Sequence, residues 1–124
     1  MIYLASPYTK HGTQIREEYF EILCKVTADL FNQGLYVFAP IVYAHPIASK
    51  YKLPPDWEYW KEYDEKFISI CSELWVLMLP GWEDSTGVEA EIQIAKKRGL
   101  IVKYMEIQAD GTLKMKSEWQ EKKL

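Results

Sequence analysis

Apolar and polar residues follow two different periods along this chain. Short apolar runs, typical of buried strands, occur at four places: Met1–Ala5, Leu35–Ala39, 74–79 and Leu100–Met105. Longer segments, in which apolar residues recur every three or four positions, predict three helices: Thr13–Gln33, 56–72 and 87–98. Strands that alternate with helices form parallel sheets covered on both faces. We therefore predict a three-layer α/β/α sandwich around a mainly parallel, Rossmann-like (flavodoxin-like) sheet of four to five strands.

Two segments lack a clear period. Residues 40–53 are predicted to be irregular, with a short helix around 47–51 as the alternative. Residues 106–124 contain an Asp-Gly turn at 110–111, which favours a small hairpin, and a charged end that is expected to fray. At 124 residues the chain is long enough for one domain and too short for two. The prediction is a single domain with its body at 1–105 and a C-terminal tail after it.

Three charged residues fall within the apolar faces of the predicted helices. Counting about 100° per residue places Arg16, Asp64 and Glu91 among inward-facing apolar positions. Such side chains are rarely buried without a partner. One interpretation is structural, an ion pair of Arg16 with Asp64 or with Glu91. The other is a cleft in which Arg16 binds an anionic group and the two carboxyl groups carry out chemistry.

The segment Ser85–Glu91 opens the last of these helices, directly after a strand and a turn. Backbone N–H groups at such a helix start point at an anion. Thr86 and Glu89 match a capping box, which gives Glu89 a structural role. Glu91 lies beyond the cap, and the residues three and four positions after it are apolar and offer it no ion pair. Glu91 is therefore the first candidate for a functional carboxylate.

Composition disfavours several kinds of partner. Fifteen basic and eighteen acidic residues give a net charge of −3, which disfavours a nucleic acid polymer and leaves a small phosphate ester open. No apolar run approaches the ~20 residues of a membrane span, and the N-terminus lacks a signal-peptide pattern, so no membrane partner is expected. His11 and His45 stand alone without metal-ligand spacing, and no cofactor is expected. Cys24 and Cys71 predict free thiols in a reducing, cytoplasmic setting, with one disulfide as the alternative.

The residue types also narrow the reaction. Neither His has an evident partner for a Ser-His-Asp set, and no GxxxxGK[ST] run exists for phosphoryl transfer of the P-loop type. A carboxylate nucleophile beside a second carboxyl group suits cleavage of a glycosidic bond through a covalent glycosyl-enzyme. The leaving group needs a proton, which a partly buried acid with a raised pKa can supply.

Three stretches carry a resemblance to a known family: Ile2 through Tyr8, Asp56-Trp57 through Tyr63-Asp64, and Leu79 through Trp82 followed by Ser85-x-Gly87-Val88-x-x-Glu91. Over about residues 1–105 the chain resembles the nucleoside 2-deoxyribosyltransferases and the related 2′-deoxynucleoside 5′-phosphate N-hydrolases, and it is most similar to a small branch beside them. The resemblance implies cleavage or exchange of the N-glycosidic bond of a (deoxy)nucleoside or its 5′-monophosphate. It also implies a homodimer or a higher homo-oligomer, since the relatives assemble in this way.

The resemblance further implies roles for individual residues. Glu91 would be the nucleophile, and Tyr3, at the end of the first strand, would orient it. Asp64 would contact or protonate the base. Ser85 matches the place where phosphate-using relatives have a Ser, and Gly87 belongs to the same motif.

Other residues complete the predicted substrate site. Contacts to sugar or phosphate are expected from the first loop: Ser6, Tyr8 and Thr9. Arg16 is assigned to an anionic group from its helical position alone. His45 either lines the pocket or binds a loop carbonyl. Trp82, in a loop at the proposed mouth, is the best candidate to stack on a base, while most of the other tryptophans are expected in the core.

Three other functions stay open. Phosphoribohydrolases with a Pro-Gly-Gly-x-Gly-Thr-x-x-Glu motif share the spacing of Gly87 and Glu91, although Pro80 and Gly81 lie too far upstream for that motif. A non-catalytic nucleotide-binding protein could keep the same pocket. A structural domain could pair its inward charges with one another.

Overall fold

The computed structural model describes residues 1–8 and 12–116, and five strands within them form one sheet. In chain order the strands are β1 (Ile2–Ala5), β2 (Val37–Phe38), β3 (Glu73–Leu77), β4 (Ile101–Ile107) and β5 (Leu113–Lys116). The helices are α1 (Thr13–Asn32), α2 (Pro40–Tyr51), α3 (Trp57–Ser69) and α4 (Thr86–Lys97), with a 3-10 turn at Trp82–Asp84. The predicted fold class, a three-layer α/β/α sandwich with a mainly parallel sheet, is confirmed.

The order of the strands in the sheet is β2-β1-β3-β4-β5. The first four strands are parallel to their neighbours, and β5 pairs with β4 in the antiparallel direction. The chain therefore places β2 on one side of β1 and then crosses to place β3 on the other side. In open α/β sheets of this order, ligands bind at the carboxyl ends of the strands where the order reverses. Here that point lies between β1 and β3.

The side chains of β1 alternate between the two faces of the sheet, as the pleat requires. Leu4 belongs to a buried core that includes Leu23 of α1. Tyr3 belongs to the core on the opposite face, with Ile68 of α3 and Ile92 of α4. This alternation turns the only polar group of β1 towards the face that carries α3 and α4.

The helix α2 occupies a segment that the sequence pattern predicts to be largely irregular, and that prediction is wrong. Pro40 stands at the first helical position, where the missing N–H costs nothing. Pro46 lies inside the helix and is exposed, and an interior proline removes a helical hydrogen bond. Ile41 and Val42 pack against the α1 side of the core. Tertiary packing thus stabilises a helix that local propensity disfavours.

The remaining elements agree with the predictions apart from their ends. β2 is shorter than the predicted strand at Leu35–Ala39. The predicted hairpin is present as β4 and β5, joined by a turn in which Gly111 has φ +86°. Cys24 and Cys71 are free thiols, as predicted, and they form no disulfide. Residues 117–124, the charged end predicted to fray, lie outside the described residues. Within the described ranges, no helix is both long and apolar enough to cross a membrane.

Replacing Leu23 with Ala tests the α1 side of the core. Leu23 is fully buried, so the truncation should lower the free energy of unfolding by about 2–5 kcal/mol. Phe31→Ala is the matched control, because Phe31 lies on the same helix and is 57% exposed. It should cost less than about 1 kcal/mol in the same urea titration. Equal losses for the two variants would contradict the burial of Leu23 in the core between α1 and the sheet.

Candidate active site

Three polar side chains from three elements lie together near the point between β1 and β3 where the strand order reverses. Tyr3 comes from β1, Asp64 from α3 and Glu91 from α4. All three are buried, with exposed fractions of 0%, 9% and 5%. The hydroxyl of Tyr3 donates a hydrogen bond to Oε2 of Glu91. The helical positions that point Asp64 and Glu91 inwards are those predicted from the sequence, and the two acids form one pair.

Burial raises the pKa of both carboxyl groups and makes them weaker acids than exposed Asp and Glu side chains. It raises the pKa of Asp64 from 3.8 to about 7, against the lowering effect of hydrogen bonds to Tyr3 and Glu91. Burial also raises the pKa of Glu91 well above its usual range, and the neighbouring charge of Asp64 raises it further. Two such acids titrate as a unit, because the charge of the first to ionise holds the remaining proton on the pair. The pKa of Tyr3 is raised by burial and by both acids, which keeps this phenol a hydrogen-bond donor.

The structural interpretation of the inward charges predicts an ion pair of Arg16 with one of these acids. Neither pair is present within residues 1–8 and 12–116. The guanidinium carbon of Arg16 lies 5.6 Å from the centre of the Tyr8 ring instead, a cation–π distance. In the described part of the chain, the groups that shift the pKa values of Asp64 and Glu91 are Tyr3 and the two acids themselves. No base among residues 1–8 and 12–116 therefore neutralises the acid pair.

A cleft of about 600 Å³, counting the space at its open mouth, lies against the acid pair. Its lining includes the predicted site residues Ser6, Tyr8, His45, Asp64, Ser85, Gly87 and Glu91. The rest of the described lining comes mainly from α2 and the start of α3: Pro40, Ile41, Ala44, Ala48, Pro55, Asp56, Trp57 and Trp60. Tyr3 lies behind this surface and supports Glu91 from the sheet. The wall of the cleft is mostly apolar with a few polar groups, as in small-molecule sites.

The sequence predicts Trp82 at the mouth of the site, but two other tryptophans line the described cleft. Trp82 packs against the core on the α4 side, with its ring centre 5.6 Å from that of Tyr104, and it does not line the described cleft. Trp57 and Trp60 line it instead. Their spacing from Asp64, seven and four positions, puts all three on one side of α3. From that spacing the sequence could have predicted that both tryptophans lie near Asp64.

The start of α4 is capped by Ser85 and not by Thr86, so the predicted capping box is wrong. Oγ of Ser85 accepts a hydrogen bond from the backbone N–H of Val88 at 3.3 Å. The carboxylate of Glu89 accepts one from Nε2 of Gln93 at 3.2 Å and does not reach back to the helix start. The hydroxyl proton of Ser85 stays available to a ligand in the cleft, because capping uses the oxygen as an acceptor.

Ser6 and Gly87 complete the wall around the acid pair. Ser6 is 6% exposed, and its Oγ has no hydrogen-bond partner among the described residues. A buried hydroxyl without a partner is uncommon in native proteins, and a ligand in the cleft would satisfy it. A Cβ at Gly87 would contact Cε3 of Trp57 at 3.7 Å, so alanine fits there but narrows the cleft.

His45 has two side-chain partners, although the sequence suggests none. Its Nδ1 lies 2.6 Å from Oη of Tyr8, and its Nε2 lies 2.7 Å from Oε2 of Glu17. It therefore lines the cleft rather than binding a loop carbonyl. Sequence reasoning missed Glu17 because it occupies the polar side of α1 and meets His45 only once α2 is helical. Thr9 and His11 lie outside the described residues.

No group of three or more His, Cys, Asp or Glu side chains within residues 1–8 and 12–116 is arranged to hold a metal ion. The described lining of the cleft carries hydroxyl, carboxyl, imidazole and indole groups. These groups are suited to proton transfer, nucleophilic attack and hydrogen bonding to a small polar ligand.

The model of one protein family, described as a domain of unknown function (DUF1937), matches residues 1–107. The chain belongs to this family. The DUF1937 match takes in the acid pair and the whole described lining of the cleft, and it ends with β4, so that β5 lies outside it. No curated protein matches the chain.

Replacing Asp64 with Asn should stabilise this DUF1937 protein at neutral pH. Because the pKa of Asp64 rises from 3.8 to about 7 on folding, the native state binds more protons than the unfolded state between these values. Stability contributed by this group is complete below 3.8, is lost as the pH rises from there to about 7, and changes little at higher pH. Asp64→Asn removes the loss, so the melting temperature at pH 8 should rise by roughly 3–10 °C.

The same comparison at pH 4 should show little difference between Asp64→Asn and the wild type. Glu62→Gln is the matched control, because Glu62 lies on the same helix and is exposed. It should leave the melting temperature nearly unchanged at both pH values. A lower melting temperature for Asp64→Asn at pH 8 would contradict the shared-proton description of the pair.

Proposed function

We propose that this protein cleaves or exchanges the N-glycosidic bond of a (deoxy)nucleoside or its 5′-monophosphate through a covalent glycosyl-enzyme on Glu91. The observation that supports this most strongly is the acid pair beside the cleft. The Tyr3 hydroxyl donates a hydrogen bond to Glu91, and a further hydrogen bond joins Asp64 to Glu91. One acid can therefore attack while the other carries the proton that a leaving base needs.

The first half of the proposed reaction breaks the bond between the sugar and the base. A base that accepts a hydrogen bond from Asp64 draws the shared proton to Asp64 and leaves Glu91 ionised. Asp64 gives this proton to a ring nitrogen as the glycosidic bond breaks, and the electron pair of that bond stays with the base. An oxygen of Glu91 supplies the electron pair for a new bond to the anomeric carbon. The free base and a sugar ester of Glu91 result.

The second half releases the sugar. Asp64, now a carboxylate, takes a proton from water as the water oxygen attacks the anomeric carbon, and the ester electron pair returns to Glu91. A second base in place of water would give exchange instead of hydrolysis. Tyr3 donates to Glu91 in the ionised state, which stabilises the carboxylate both before attack and after release.

The walls of the cleft suit such a substrate. Trp57 and Trp60, together with the apolar side chains of α2, offer flat apolar surface to a base. Ser6, with its unpartnered Oγ, offers a hydrogen bond to the sugar.

Replacing Glu91 with Gln should lower turnover by roughly 10⁴-fold, because the amide cannot form the glycosyl ester. The assay incubates the protein with mixed nucleosides and their 5′-monophosphates, and mass spectrometry detects free bases and exchanged products. Intact-protein mass spectrometry after an acid quench should show a sugar adduct on the wild type and none on Glu91→Gln. Glu89→Gln, an exposed position on the same helix, is the control and should keep full activity.

Full activity of Glu91→Gln would exclude the proposed nucleophile. Nucleotides that raise the melting temperature without any release of base would indicate the non-catalytic binding protein instead, since a ligand of the native state stabilises it. Activity confined to ribonucleoside 5′-monophosphates would indicate the phosphoribohydrolase.

Replacing Asp64 with Asn should lower the rate by about 10²–10⁴-fold on ordinary purine nucleosides, because the leaving base then lacks its proton donor. A purine nucleoside methylated at N7 already carries a positive charge on the base and needs no proton. The loss caused by Asp64→Asn should shrink to less than about tenfold on that substrate. An equal loss on both substrates would show that Asp64 does not act as the acid.

A further inference from the structure

Tyr8, His45 and Glu17 form a continuous hydrogen-bonded chain that the proposed chemistry does not use. Oη of Tyr8 lies 2.6 Å from Nδ1 of His45, and Nε2 of His45 lies 2.7 Å from Oε2 of Glu17. Tyr8 and His45 line the cleft, and His45 is 5% exposed. Glu17 closes the chain at the surface of α1, where its side chain is 56% exposed.

A carboxylate at one end and a neutral imidazole in the middle together fix the direction of every hydrogen bond in this chain. An ionised Glu17 can only accept, so Nε2 of His45 must carry a proton and donate it. In a neutral imidazole the other ring nitrogen, Nδ1, is then an acceptor. Tyr8 must therefore donate to Nδ1. Its phenol has one proton, and that proton is directed away from the ligand.

The surroundings of Tyr8 are consistent with this direction. Burial raises the pKa of Tyr8, which keeps the phenol protonated near neutral pH. Arg16, stacked at 5.6 Å from the ring centre, acts in the opposite sense on the same pKa by its charge and its hydrogen bond to the phenol. A positive neighbour stabilises negative charge on the phenol oxygen, and a phenol that donates to His45 carries such charge.

We propose that Glu17 and His45 are positioning residues that fix Tyr8 Oη as a hydrogen-bond acceptor at the wall of the cleft, so that the substrate group it meets is a sugar hydroxyl. A phosphate dianion, which only accepts, has no proton to offer Tyr8 in this arrangement. The sugar is the part of the ligand expected here because Tyr8 and Ser6 share the segment after β1, whereas the aromatic wall for a base lies on α3. This inference rests on the proposed function and adds to it the direction of one hydrogen bond, from a sugar hydroxyl to Tyr8.

The proton positions can be measured without any substrate. Nitrogen-15 NMR of the imidazole side chains, near neutral pH, distinguishes a protonated from an unprotonated ring nitrogen. His45, assigned by comparison with His45→Gln, should carry its proton on Nε2 and have an unprotonated Nδ1 whose signal shifts in Tyr8→Phe. A proton on Nδ1, in a neutral or a charged ring, would overturn the proposal.

The ligand contact is tested by binding, with Glu91→Gln as the background so that no substrate is consumed. Calorimetry compares a nucleoside with analogues that each lack one sugar hydroxyl. Tyr8→Phe should weaken binding of the parent nucleoside about tenfold and should leave unchanged the binding of the one analogue that lacks the hydroxyl facing Tyr8. Equal effects of Tyr8→Phe on every analogue would overturn the proposal.

Variants of Glu17 separate positioning from a purely structural contact. Glu17→Ala should reproduce the analogue dependence of Tyr8→Phe with a smaller loss, about threefold, and it keeps the test available if Tyr8→Phe fails to fold. Glu17→Gln should restore binding, because the amide oxygen still accepts from Nε2. Glu18→Ala, an exposed neighbour on α1, is the control and should change nothing.

The failure of this inference can be told apart from the failure of the proposed function. Nucleosides that bind and are cleaved by the unmodified protein, without the expected analogue dependence, would remove the role of Tyr8 alone. Failure of every nucleoside and nucleotide to bind would remove the proposed function and the sugar contact together.

Discussion

Two carboxyl groups, Asp64 and Glu91, are buried next to each other, and no cation of the described chain acts on them. Placing two negative charges side by side in a poorly solvated site is costly, so the favoured state holds one proton between them. The other features of the site depend on this constraint. Tyr3 must be a donor, since a second acceptor would leave the pair without a partner, and burial keeps its phenol protonated. The cleft gives a ligand access to the one shared proton.

The sheet brings these groups together through two simple periodicities. The pleat of β1 turns Tyr3 to the face that carries α3 and α4, and each helix turns one acid inwards among apolar residues. The strand order reverses between β1 and β3, so the segments that follow these strands open at the same edge. Ser6 follows β1, and Ser85 starts the helix after β3, which is why both line the cleft.

The parts of this site that follow a local period could be predicted from the sequence, and the parts that depend on tertiary packing could not. Asp64 and Glu91 were recognisable because a helical face is defined by residues a few positions apart. The contact of His45 with Glu17 forms only because α2 is helical. Helix propensity does not predict α2 from the sequence, because Pro46 lies inside it. Trp82 lies in a connecting turn, where sequence cannot say whether a ring faces the ligand or the core. The role of Tyr3 came from the family resemblance, since nothing in a five-residue apolar run indicates a functional hydroxyl.

The acid pair and the hydrogen-bonded chain of Tyr8, His45 and Glu17 differ in whether their carboxyl groups are buried. The chain ends in an exposed carboxylate, so its proton order is fixed without burying a charge. Both members of the acid pair are buried. Their raised pKa values mean that the pair destabilises the native state at neutral pH. A structural role would be served better by apolar side chains of the same size. A buried pair that lowers stability and faces a cleft supports the proposed catalytic role, since acids with perturbed pKa values cluster at functional sites.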